Sequence, residues 1–226
     1  MCHRSVHSLI LTVLQARLFA DQTYTHTNDL YAWARANFAS APQSVIRNIV
    51  EQVYPAVYDG SFPWRTPLER ANLAQTEYTI SCNAVDMARA YPRRAFNYLW
   101  SQPPAIHSQD LLYTYWNGQS DVVNVRMAET LQKGITQFVM TGNPNSREQQ
   151  WPVYSRSQKV LNFGAGTISS SAEPADNSRC DWWLKGLYQS TVGLGTNATY
   201  NDPGLQLLGN GSVAMTFNAS GTIVTS

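Results

Sequence analysis

One histidine in this chain has neighbours that suit chemistry. His107 lies in the run Pro103-Pro104-Ala105-Ile106-His107-Ser108-Gln109-Asp110, just before the aromatic, β-prone stretch Leu111-Leu112-Tyr113-Thr114-Tyr115. The chain has four histidines, and the other three (His3, His7 and His26) sit in an unpatterned N-terminal region. An imidazole in a loop that leaves a strand can take a proton from a nucleophile and return it to a leaving group. A lone loop histidine is more often structural, so the weight falls on what surrounds it. Ser101, Ser108 and Ser120 are hydroxyls close by in sequence, yet none has the Gly-x-Ser-x-Gly turn that presents a serine nucleophile, and that pattern occurs nowhere in the chain. Asp110 is the nearest carboxylate.

The remaining chemistry-bearing residues are few. Cys2, Cys82 and Cys180 are the three cysteines, with no Cys-x-x-Cys pair and no His/Cys cluster, so neither a metal nor a cofactor is expected. Cys82 and Cys180 read equally as two buried thiols or as a cystine. The sequons at Asn197, Asn210 and Asn218 gather in a polar tail. The net charge is +1 and only Lys133, Lys159 and Lys185 are lysines, so nucleic-acid binding has no electrostatic support. With 43% hydrophobic residues among 226, including seven Trp, twelve Tyr and seven Phe, the chain can bury a real core.

Several elements are legible. Asn28-Asp29 caps a short helix to Phe38, and Pro42 with Ser44 opens a second helix carrying Val45, Ile46, Ile49, Val50 and Val53. Thr66-Pro67-Leu68-Glu69 has the form of a capping box and starts a third helix predicted to reach Ala90. Asn97 to Trp100 and Val160 to Phe163 read as strands. Val123 to Met140 is a helix with Met127, Leu131, Ile135, Phe138 and Val139 on one face and Gly142 as its cap. Trp151-Pro152 suggests an edge segment, and Asn177 to Tyr188 a last helix. No apolar run is long enough for a transmembrane helix.

Six segments in order carry a resemblance: Tyr54 to Gly60; Cys82-Asn83 with Ala88 to Tyr91; the His107 run; Met140 to Asn145; Trp151 to Tyr154; and Arg179-Cys180-Asp181-Trp182-Trp183. Together, from about Leu18 to Tyr188, they resemble the C-terminal portion of the type-B carboxylesterase/lipase family, in its fungal form. The resemblance implies an α/β fold, specifically a partial, helix-rich α/β-hydrolase fold holding the C-terminal strands of the central sheet and their covering helices. It implies that His107 is the histidine of a Ser-acid-His triad, that Asp110 supports it from the second shell or caps the next helix, and that Cys82 and Cys180 form a cystine. The family places glycine after the histidine, where this chain has Ser108. It places the triad acid shortly before Leu18, where the chain reads Leu14-Gln15-Ala16-Arg17 without a carboxylate.

The implied organisation is an atypical segment over 1–17, the carboxylesterase part over 18–190 and a polar, flexible tail over 191–226. The expected function is that of a carboxylic-ester hydrolase part, inactive alone because it retains only the histidine. The alternative is a non-catalytic, cholinesterase-like binding or adhesion module. Expected partners are small-molecule or lipid esters and the family's N-terminal part. The family resemblance also implies secretion. Leu9 to Leu14 behind Arg4 faintly resembles a signal sequence, but His7 precedes the short run and no small-x-small site follows it.

Overall fold

The computed structural model describes residues 23–91, 95–119, 122–154 and 158–189 in full, together with the backbone of 8–13, 206–207 and 213–214. Its centre is a four-stranded sheet of β1 (Ser8–Val13), β2 (Ala95–Ser101), β3 (Lys159–Gly164) and β4 (Thr167–Ala172), in that spatial order. β1, β2 and β3 run parallel and β4 turns back antiparallel on β3. This is the partial α/β arrangement that the sequence led us to expect. The sheet begins before residue 18: the apolar run that resembled a signal sequence is a strand, with Leu9 opposite Phe96 and Val13 opposite Trp100.

Helices make the crossovers, as parallel strands require. Between β1 and β2 come α1 (Asp29–Asn37), α2 (Gln43–Arg47), α3 (Pro67–Thr76) and α4 (Cys82–Ala90); between β2 and β3 come α5 (Leu111–Thr114) and α6 (Val125–Thr141). α7 (Ser178–Trp183) follows β4, and β5 (Gln206–Leu207) pairs with β6 (Val213–Ala214) as a separate ribbon. Alternation along β2 divides the core. Phe96, Tyr98 and Trp100 pack with Met127, Ala128 and Leu131 of α6, whereas Ala95 and Leu99 pack with Ala84 and Ala88 of α4. A second apolar body, including Trp33, Ile49, Tyr54, Trp64 and Trp183, joins α1, α2, α3 and α7.

The helix starts follow local chemistry. Thr66 accepts from the Glu69 N–H at 3.1 Å, but the Glu69 carboxylate returns to the Arg65 N–H at 2.6 Å, one residue before the box position. Asn124 caps α6 and Gly142 closes it with φ at 75°. The helix expected from Thr66 to Ala90 runs unbroken through a π-helical turn, Glu77–Ser81, and α2 likewise continues as a π-helical stretch, Asn48–Val53. Three expectations are corrected. The β-prone stretch after His107 is the helical turn α5, and Trp151-Pro152 forms no strand; the second strand of the hairpin is the polar Thr167–Ala172. The last helix ends at Trp183, short of the expected Tyr188.

Candidate active site

β2 and β3 end at the same edge of the sheet, with Ser101 opposite Gly164, and β1 ends there too, with Val13 opposite Trp100. The loop that carries His107 springs from this carboxyl edge, where open α/β sheets gather their ligand sites. Residues 14–17, the expected position of the acid, lie outside the described residues.

The loop is stitched by one amide. The Gln109 side chain donates to the Pro103 carbonyl at 3.2 Å and accepts from the Ile106 N–H at 3.3 Å. Ala105 N–H donates to Gln102 O at 2.7 Å and Leu111 N–H to Ser108 O at 3.1 Å. The Pro103–Pro104 bond is cis. His107 itself is half-buried. The residue after it, Ser108, has φ at 66°, and Ala105 has φ at 53°. Those values lie in the left-handed region, which costs a Cβ-bearing residue about 1 kcal/mol or more. A glycine following the histidine would meet no such penalty.

Asp110 begins α5 but its side chain does not cap it. Instead its carboxylate turns inward, 3% exposed, and accepts the Tyr98 hydroxyl at 3.0 Å. Burial, then the charge and hydrogen bond of Asp110, push the Tyr98 phenol well above its usual range. Neither Tyr98 nor Gln109 was singled out by sequence reading. The available signal was that Tyr98 stands in strand β2 twelve residues before Asp110. Ser101 donates to Asn162 Oδ1 at 2.6 Å, so its hydroxyl proton is directed across the sheet. Ser120, Asn197, Asn210 and Asn218 lie outside the described residues.

Cys82 and Cys180 form a disulfide across 98 residues, with Cα atoms 5.0 Å apart. The cystine ties α4 to α7, and a buried ion pair runs beside it. Arg179 donates to Glu77 at 2.7 Å through its terminal nitrogen and at 2.8 Å through Nε. Glu77 also accepts from the Tyr54 hydroxyl at 2.6 Å and from Asn177 at 3.1 Å. Among the described residues no His, Cys, Asp and Glu cluster is arranged for a metal. A polar cleft of about 300 Å³ opens between α6 and residues 144–151, lined by Arg126, Glu129, Lys133, Glu148 and Trp151. His107 does not line it.

No family model matches the chain. It is 35% identical over 150 residues to carboxylesterase patB of Aspergillus clavatus, covering 65% of this chain and 27% of that protein. It is 31% identical over 146 residues to carboxylesterase patB of Penicillium expansum, covering 63% and 26%. Among solved structures, Aspergillus niger EstA superposes with a TM-score of 0.65 over 81% of this chain and 41% of its own, at 18% identity. A pNB esterase superposes with a TM-score of 0.55 over 78% and 37%, at 20% identity. Over about two thirds of its length the chain is thus similar to fungal carboxylesterases, and its fold is that of solved esterases.

The structural matches establish the α/β-hydrolase fold of the sheet and its covering helices. The chain spans about a quarter of the length of the curated carboxylesterases it matches.

Proposed function

We propose that this chain is the histidine-bearing part of a carboxylic-ester hydrolase, with His107 as its general base. The observation that carries the reading is the place of His107. It stands at the carboxyl edge of a parallel sheet of esterase fold, in a loop fixed by Gln109 and by the Tyr98–Asp110 hydrogen bond. In such a site the imidazole takes the proton of a serine hydroxyl as the oxygen attacks the ester carbonyl. It returns that proton to the alcohol as the ester C–O bond breaks, and then activates water to release the acid. Asp110 is the positioning residue that holds the loop from beneath. The serine and the triad acid are supplied from outside these 226 residues, since no Gly-x-Ser-x-Gly occurs and no carboxylate precedes Asp21. The chain alone is therefore inactive. The disulfide supports an oxidising, secretory setting, in which Asn197, Asn210 and Asn218 are available for glycosylation.

The test is a graft. The matched stretch of this chain replaces its counterpart in the Aspergillus clavatus carboxylesterase, and hydrolysis of a p-nitrophenyl ester is followed. The grafted enzyme turns over, and His107→Ala in it lowers kcat by about four to six orders of magnitude. A graft that keeps its rate without His107, or an ungrafted chain labelled by a fluorophosphonate, rejects the proposal.

A further inference from the structure

The histidine loop is pinned after His107 by Gln109 and Asp110. A different set of bonds pins it before His107. Pro103 and Pro104 bring no N–H, so the first amide the loop can offer as a donor is that of Ala105. It goes to the Gln102 carbonyl at 2.7 Å. Gln102 is thus the root of the loop, and it is buried, at 6% exposure. A buried side-chain amide needs a partner. Here its oxygen accepts the Gly166 N–H at 2.8 Å, across 64 residues of sequence.

That partner is firmly held. β3 and β4 are joined by the two-residue turn Ala165-Gly166, with Gly164 opposite Thr167, and both turn residues have the positive φ that such hairpins use. The Thr167 hydroxyl donates to Gly164 O at 2.9 Å. Gly166 is held at its other polar group too. Its carbonyl accepts the Asn124 amide at 2.9 Å, and the same Asn124 caps α6. The turn also presses on the end of β2. A Cβ on Gly164 would fall 2.2 Å from Ser101 Oγ and displace that hydroxyl from Asn162. One side chain, Gln102, therefore links the hairpin turn and the start of α6 to the residue from which the histidine loop departs.

We propose that Gln102 is a positioning residue for His107, through which the β3–β4 turn fixes the near side of the histidine loop. The bond at Oε1 holds Gln102, and with it the carbonyl that sets Ala105, two residues before the imidazole. A catalytic group misplaced by about 1 Å can lose on the order of a hundredfold in rate. The coupling stands on the hydrogen bonds alone; its effect on catalysis rests on the ester-hydrolase reading. The first experiment uses the full chain. NMR follows the ring signals of His107, identified by their loss in His107→Gln, and the amide exchange of Ala105 and Gly166. Gln102→Leu moves the ring signals and speeds exchange at both amides by about tenfold or more. Gln102→Glu keeps an oxygen for the Gly166 N–H and stays close to the parent. Gln102→Met, which also lacks the acceptor, repeats the leucine result should Gln102→Leu fold poorly. The second experiment places the same variants in the grafted carboxylesterase. Gln102→Leu lowers kcat about ten- to a hundredfold with KM within about twofold, and Gln102→Glu recovers most of the loss. Unmoved ring signals, faster exchange at Gly166 alone, a kcat that stays at the grafted parent's value, or a loss that Gln102→Glu shares in full overturns the proposal. A graft that does not turn over even with Gln102 in place rejects the ester-hydrolase reading, and the full-chain spectra still decide the coupling.

Discussion

Tyr98 and Asp110 join strand β2 to the histidine loop through a buried hydrogen bond of 3.0 Å. Both are nearly inaccessible, at 6% and 3% exposure, so water cannot replace either partner. Tyr98→Phe removes the donor and leaves the carboxylate underpaired, at a cost of about 2 kcal/mol. Asp110→Asn keeps an acceptor for the hydroxyl and costs about half as much. Urea unfolding of the two variants measures the difference; equal and negligible losses would mean that the pair does not hold the loop.

The same phenol gives the fold an alkaline limit. Tyr98 and Tyr54 both titrate above the usual phenol range, mainly because burial disfavours the anion and then because Asp110 and Glu77 stand beside them. The folded state therefore holds these protons after the unfolded chain has released its own. The stabilisation is complete below about pH 10 and declines above it, by about 1.4 kcal/mol per pH unit for each group. Tyr98→Phe removes one group's share of that slope. Stability measured at several pH values above 10 in parent and variant tests the sign and the share.

Ser108, at φ 66°, is a position that favours glycine. Ser108→Gly relieves the left-handed strain, and part of that gain is lost to the freer unfolded backbone. The net expectation is a rise of about 0.5–1 kcal/mol, with Ser108→Val falling by more than that. Thermal melting of the two variants in parallel is the check; a glycine variant less stable than the parent contradicts the strain argument.

How far the sequence disclosed this structure depends on where each element gets its stability. α6 was legible because its apolar period and both caps, Asn124 and Gly142, lie within the segment. The cores of β2 and β3 were legible from their aromatic and aliphatic runs. β4 was not, because Thr167–Ala172 is polar and mostly exposed; it is a strand by virtue of pairing with β3 across the tight Ala165-Gly166 turn, where φ is 43° and 80°. α5 misled because Tyr and Thr favour strands, while the carbonyls that accept the hydrogen bonds making it a helical turn belong to Ser108, Gln109 and Asp110 before it. At the site, His107 was found by family pattern. Asp110 was named beside it from the same pattern, but its bond to Tyr98 was hidden, since strand and loop meet only once folded, and so were the bonds of Gln109 to Pro103 and Ile106.

The attachment of α7 offers the strongest test of the packing. Glu77 is 2% exposed within the π-helical turn, and Arg179 stands over Trp64, 5.8 Å from its ring centre. Glu77→Ala leaves that partly buried guanidinium without its carboxylate and the Tyr54 hydroxyl without its acceptor, which costs about 2–3 kcal/mol. Replacing both charges, with Glu77→Leu and Arg179→Met, costs much less than the single change, because the uncompensated ion is what destabilises. The cystine one residue from Arg179 adds about 4–5 kcal/mol by shortening the unfolded chain's freedom across 98 residues. The two ties are distinct, since one acts on the folded state and the other on the unfolded ensemble. In urea the loss from Glu77→Ala is therefore the same in the oxidised protein and in a Cys82→Ala/Cys180→Ala background, provided that background still folds. A loss that shrinks markedly without the cystine would show that the disulfide is what holds Arg179 against Glu77.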